Sequence, residues 1–310
     1  MSVRTSDRVG DALLYGLCLL ASLAAAAVML EIAYQIVHGA SQAVSRVGFG
    51  FLTHETWKPN FSVFGATTLL YGTAVTSAMA LLIAVPLGIA IGMYLATIAP
   101  RGVRGVVGPL VEMLAAVPSV IVGFWGILVL SPFVRDHVEP FLHGAPGFLP
   151  VFGSPQTSGS SLFTAGLVLS LMVVPIIASV SRDLFLTVPQ ELQDGAAALG
   201  ATRWEVFRGV ILPSTASGVI AAACLGLGRA LGEAIAVTQV IGAGNVIHAS
   251  LFGTGDTLAG RIADQFQSPF SHLHTSALFY LALILLVIGL VTNLLAQLIG
   301  RRFDRARMGV

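Results

Sequence analysis

Apolar residues run in long blocks along this chain. No Asp, Glu, Lys or Arg occurs in 59–100, 140–181, 209–228 or 265–300, and the stretch from Ala12 to Leu30 is likewise apolar. One bilayer crossing needs only ~20 such residues. The blocks predict six spanning helices at about 12–37, 67–95, 106–133, 162–181, 214–242 and 275–300, divided by segments rich in Gly, Pro and charge. The expected architecture is an all-α polytopic membrane protein: an N-terminal segment 1–11, a membrane domain 12–300 and a basic tail 301–310. Arg4 and Arg8 precede the first apolar run as in a secretory leader. That run is too long for a leader, however, and no clear A-x-A site follows it, so it is read as the first helix.

Charge then sets orientation. An even number of spans places both termini on one side of the membrane. Of the 16 basic residues, only Arg46, Lys58, Arg135 and Arg261 fall on the opposite side, and Arg229 falls within a span. The positive-inside rule therefore predicts that both termini, and the loop 182–213, face the cytoplasm. Overall the 310 residues are 55% hydrophobic and 10% charged, against ~25% charged in a soluble domain. The net charge of +1 excludes the broad basic field of a nucleic-acid binder.

Pro86, Pro118 and Pro175 fall inside predicted spans two, three and four, where each removes a backbone hydrogen bond, either as a packing kink or as part of a gate. Gly218, Ala222, Gly226 and Gly228 would let a neighbour approach the fifth helix closely and place it centrally. The outer segments carry Trp57, Phe61 and Phe64 in 38–66, and Pro140, Pro146, Pro150 and Pro155 in 134–161. Within 243–274, Leu258, Ile262 and Phe266 recur at helical spacing behind Asp256, which predicts a short amphipathic helix on the outer face. Without an internal repeat, the duplicated architecture of many secondary transporters is not supported.

The most informative polar interruption is Val188–Pro213. Pro189 followed by Glu191 and Asp194 suits a helix start, Gly200 offers a left-handed stop, and Thr202 with Glu205 forms a T-x-x-E capping box. Two short helices joined at Gly200–Ala201 are expected. Gly195, Ala196, Ala197 and Ala198 leave one face nearly bare beside the bulky Trp204 and Phe207, as a knob for a partner's groove or as an amphipathic surface on lipid headgroups.

The run Asp194-Gly195-Ala196, with Gly200 four positions beyond and Val210-Ile211-Leu212-Pro213 after it, resembles the EAA loop of ABC importer permeases. Asp for Glu, Gly for Ala and Val for Ile are mild departures. F-L-T-H-E-T-W-K-P (51–59), Y-G-T (71–73), A-V-P-L-G-I-A-I (84–91), L-A-A-V-P-S-V-I-V-G-F-W-G (114–126) and G-R-A-L-G-E-A (228–234) extend the resemblance over nearly the whole chain to the PstC-type permeases of phosphate importers. The resemblance implies a type I ABC importer permease fold in a bacterial inner membrane. It also implies that Asp194, Gly195, Ala196 and Gly200 meet the ATPase through a coupling helix; Trp204 and Phe207, by their bulk beside Gly200, are expected as adjacent anchors. The implied partners are a PstA-type second permease, a PstB-type ATPase dimer and an external PstS-type phosphate-binding protein, with inorganic phosphate as cargo. Molybdate or sulfate remains an alternative on residue chemistry alone.

Arg229 and Glu233 are four residues apart and so share a helical face. Each costs ~2.5–3.5 kcal/mol at the bilayer centre. They form either a mutual ion pair that locks packing or a pair at which the guanidinium meets an oxyanion in the path, and the resemblance implies the second role. Glu31 and Glu112 lie near span ends, where they can reach water. Among the histidines only His272 and His274 are closely spaced, without an obvious third metal ligand. Cys18 and Cys224 sit in apolar runs and read as small buried hydrophobes. No nucleophile–base constellation for an enzyme is evident. Nor is there a G-x4-G-K-[ST] loop, so no cofactor is expected in this chain, and ATP and Mg would be held by a partner.

Overall fold

The computed structural model describes residues 5–144, 152–153 and 157–308. Arg4 and the prolines at 146, 150 and 155 fall outside them, as do the side chains of the basic tail 301–310, whose backbone is helical to Met308. Among the described residues, six helices are long and apolar enough to cross a membrane. Span one is Thr5–Val47. Span two is Thr67–Met93, extended by a π-helical turn at Tyr94–Ile98. Span three is Ser119–His143, span four Leu162–Leu186, span five Arg203–Gly232, and span six begins at His272. No strand occurs among the described residues.

The spans alternate in direction. One end of the bundle gathers the close of span one, the starts of spans two, four and six, and the residues after span five. There Ser161 N donates to Val240 O and Leu162 N to Gly253 O, while Ser276 Oγ donates to Gly39 O at 2.7 Å, joining spans one and six. The other end gathers Ile98, Leu186 and the helix Gln190–Ala198. The basic residues sort in the same way, with Arg101, Arg104, Arg182, Arg203 and Arg208 at the second end and Arg46, Lys58, Arg135 and Arg261 at the first.

The main core lies where spans two, four and five meet, around Ala80, Ala84, Leu169, Val173, Ile177 and Ala230. Small residues allow that approach. A Cβ on Gly88 would lie 2.7 Å from Ile177 Cγ2, and one on Gly92 2.9 Å from the Arg182 amide nitrogen, so this G-x3-G pair sets the separation of spans two and four. The Gly92→Leu variant should lose ~1–3 kcal/mol of packing stability, read as a lower melting temperature of the purified complex. On span five, Gly218 and Gly226 pack closely on Leu184 and Val173, as expected, but Gly228 faces open space.

Three elements differ from the expected ones. First, the predicted third span 106–133 is two helices. Arg101–Ala115 ends before Pro118, and the crossing starts at Ser119. Pro118 therefore sits between helices, as the N-cap of the crossing one, whereas Pro86 and Pro175 sit inside continuous helices. The physical reason is that Arg101, Arg104 and Glu112 cannot share a lipid-embedded helix cheaply. They tie Arg101–Ala115 to the bundle end instead, through Arg104 Nη2 donating to Ala96 O at 2.7 Å and the Glu112–Arg182 pair at 2.8 Å. Second, the predicted fifth span starts earlier, at Arg203, and is continuous through a π-helical turn at Phe207–Ile211. Third, it stops at Gly232 and resumes only as Ile235–Val240.

The amphipathic helix expected in 243–274 occurs as Leu258–Gln265. It carries a buried polar network: Arg261 Nε donates to Asp256 Oδ2 at 2.7 Å, Arg261 also donates to Asn245, and its guanidinium lies 5.8 Å from the Trp57 ring centroid. Gln265 Oε1 accepts from Trp57 Nε1 at 2.9 Å and lies 3.0 Å from His274 Nε2. Burial pushes the Asp256 carboxyl up from its ordinary value, against the pull of Arg261. The network pins the segment after span five to spans two and six, since Leu258 N donates to Thr73 Oγ1 at 2.9 Å.

Candidate functional site

The break in span five creates the charged site. Gly232 ends the helix, and Glu233 takes an extended backbone (φ −75°, ψ 116°). Its side chain is buried, and its Oε1 accepts from the Ala236 amide at 3.2 Å, so it caps the next short helix. Arg229 lies in the last turn before the break, where the helix dipole favours a cation. Arg229 Nη2 stands 3.4 Å from Glu233 Oε2, with 42% of the arginine side chain exposed against 6% of the glutamate's. A tight charge-assisted bond would measure ~2.7–2.9 Å, so the pair neutralises charge without consuming the guanidinium's donors. Sequence spacing brings the two together, as expected, but across a helix break rather than along an unbroken face.

Arg229 opens into a cavity of about 1160 Å³ between spans four, five and six. Ser217, Gly218, Ala221, Cys224, Leu225 and Gly228 line it from span five, and a face of span six from Gly289 to Gly300 completes it. Gly226, one turn from Arg229, packs on Val173 and Ile177 midway along span four, which puts the cation midway along the spans.

At the Gly200 end, Gln190–Ala198 is followed by Gly200 at φ +88°, the left-handed stop. Thr202 and Glu205 form the reciprocal cap: Glu205 N donates to Thr202 Oγ1 at 3.3 Å and Thr202 N to Glu205 Oε2 at 2.7 Å. The helix opened by this cap is span five itself, so the second of the two expected short helices is not a separate element. Asp194, Gly195 and Gly200 are exposed, and a Cβ at either glycine would meet nothing. Ala196 is half-buried against the cluster of Phe185, Val206 and Ile211.

Trp204 is exposed, but Phe207 is a correction: it is 3% exposed and packs edge-on against Phe185 at 5.3 Å. As part of a helix continuous with span five, it turns inward with Val206 and Ile211, a periodicity readable once the helix is known not to break at Pro213. Leu199 beside Gly200 is 92% exposed, an uncovered apolar side chain that the sequence pattern does not single out.

Comparison with known proteins decides the family. Residues 88–305 match the family described as "Binding-protein-dependent transport system inner membrane component". The chain belongs to that family. It is 41% identical to the phosphate transport system permease protein PstC of Mesorhizobium japonicum, over 96% of this chain and 92% of the relative. With the protein of the same name from Pasteurella multocida it shares 43%, over 87% and 85%. Among solved structures it resembles a chain of a bacterial alginate ABC transporter in complex with an alginate pentasaccharide-bound periplasmic protein, with TM-score 0.62 and 17% identity over 95% and 97% of the two chains. It also resembles a chain of the inward-facing MetNI methionine ABC transporter, with TM-score 0.54 and 21% identity over 77% and 94%. The fold is that of an ABC importer permease, and the chain is a multi-pass inner membrane protein that works with other components of such a transporter.

Proposed function

We propose that this chain is the permease subunit through which an ATP-driven importer conducts phosphate, with Arg229 as the cation that meets the anion and Glu233 as its tuning counter-charge. The observation that carries this reading is a half-exposed guanidinium facing an open groove midway along a membrane bundle whose curated relatives are named phosphate permeases. A cation retained at that depth is costly unless used, and a guanidinium is suited to fork-like recognition of oxyanions.

Both termini and the Gly200 end face the cytoplasm in this reading, supported by the clustering of Arg at that end. Asp194, Gly195, Ala196, Gly200 and Trp204, with Leu199, then form the coupling knob that a PstB-type ATPase dimer grips. A PstA-type permease completes the path, a PstS-type protein delivers phosphate from outside, and ATP and Mg are bound by the ATPase. The Trp204→Ala variant should lower recovery of the ATPase on co-purification about tenfold, the scale of one interface anchor, without changing the melting temperature. Phe207→Ala acts on stability first.

The function is tested by reconstituting the complex in vesicles and measuring ATP hydrolysis with phosphate, molybdate or sulfate presented on the binding protein. Phosphate alone should stimulate it. Stimulation by another oxyanion reassigns the cargo, and uptake that needs a proton or sodium gradient rather than ATP rejects the importer.

A further inference from the structure

Span six carries polar residues on the face that lines the arginine's cavity. Thr292, Asn293 and Gln297 lie three, four and eight residues beyond Gly289, on one helical face, and all three line the cavity that holds Arg229. Thr292 spends its hydroxyl on Ile288 O at 2.9 Å. Asn293 and Gln297 have no hydrogen-bond partner among the described residues, and both are exposed to the open space. Ser217 lines the same cavity from span five. A side-chain amide turned toward lipid leaves two donors and an acceptor unpaired, at a cost of ~1–3 kcal/mol on the protein mutational scale. In an otherwise largely apolar wall, Asn293, Gln297 and Ser217 converge on the groove that holds the arginine.

We propose that Asn293 and Gln297 form the second stage of the anion path, uncharged amide donors that take phosphate from Arg229 and pass it along the groove toward Gly300. This rests on the phosphate permease reading. Spans five and six run antiparallel here. The cavity extends from Arg229 back to Ser217 on one and from Gly289 to Gly300 on the other, over eleven to twelve residues, or ~17 Å of helix. Even with Glu233 as counter-charge, the half-exposed guanidinium is the strongest attraction for an anion in this groove. Donors without net charge offer hydrogen bonds to the oxyanion with less Coulombic trapping, and conduction requires sites that bind and let go.

The test uses the reconstituted complex. Asn293→Leu and Gln297→Leu place apolar side chains in a membrane helix, so assembly should persist, while phosphate uptake should fall about tenfold, the scale of one hydrogen bond to a charged group. Asn293→Gln should retain most uptake, and Asn293→Asp, which brings a fixed negative charge before Arg229, should lose more than the leucine variant. In a Cys18→Ser, Cys224→Ser background, the thiol of Asn293→Cys should react faster with an anionic than with a cationic thiosulfonate of similar size. Normal uptake in both leucine variants, or an unreactive thiol, overturns the proposal. The cargo is read separately on the unsubstituted complex. If phosphate fails to stimulate its ATPase, the phosphate reading falls, while the charge preference at the thiol still decides whether this groove is an anion path.

Discussion

Arg229→Gln permease is expected to take up phosphate at least about a hundredfold more slowly than the unsubstituted chain. The estimate follows from losing two charge-assisted hydrogen bonds of ~1.5–3 kcal/mol each, partly offset by the glutamine amide. Arg229→Lys keeps the charge but loses the planar fork, and should recover only part of the rate. The variants also separate the two readings of the pair. If Arg229 only locks helix packing, its removal leaves Glu233, 6% exposed, as an uncompensated buried charge at a cost of ~3–5 kcal/mol. Assembly is then what fails, and the double variant Arg229→Gln, Glu233→Gln restores both assembly and uptake. If the guanidinium meets the anion, the double variant restores assembly alone. Uptake per assembled complex, rather than uptake per cell, is the measurement.

Gly200→Val should abolish recovery of the ATPase with the permease while leaving the permease in the membrane. Gly200 has φ +88° and open space where a Cβ would go. The cost of a side chain there is therefore backbone strain, ~1–3 kcal/mol for a non-glycine residue held in the left-handed region, and more for a β-branched one. A loop that relieves the strain re-aims Gln190–Ala198 relative to the start of span five, moving Leu199 and Trp204 apart. Gly200→Asn, which tolerates the left-handed region, should keep most of the binding. Equal loss in both variants would mean that the glycine is needed for contact with a partner and not for its conformation.

Much of this architecture was legible beforehand. Runs without charge as long as 59–100 admit few readings, and the Thr202–Glu205 cap, the Gly200 stop and the Arg229–Glu233 pairing all follow from local rules that act within four residues. What escaped depended on longer range. The stop at Gly232 has no proline to announce it. It is fixed by Glu233 bonding the Ala236 amide and by Ala236 and Gln239 packing against Gly123 of span three. Phe207 reads as an anchor if Pro213 is taken as a helix boundary, whereas the π-helical turn Phe207–Ile211 carries the helix through to the proline. The Arg261–Asp256–Trp57–Gln265–His274 network joins residues more than two hundred positions apart, and no periodicity encodes that.

The rod from Arg203 to Gly232 has a mechanical consequence. Its 30 residues make a stiff arm ~45 Å long, hinged at one end by the extended backbone of Glu233 and loaded at the other beside Trp204. A tilt of about 10° about that hinge would sweep the loaded end through ~8 Å. Arg229, only four residues and ~6 Å of helix from the pivot, would shift by ~1 Å. In an importer of the proposed kind the arm would work as a reducing gear: a large stroke at the ATPase would become a displacement at the cation small enough to lengthen a hydrogen bond and release an anion without dragging it.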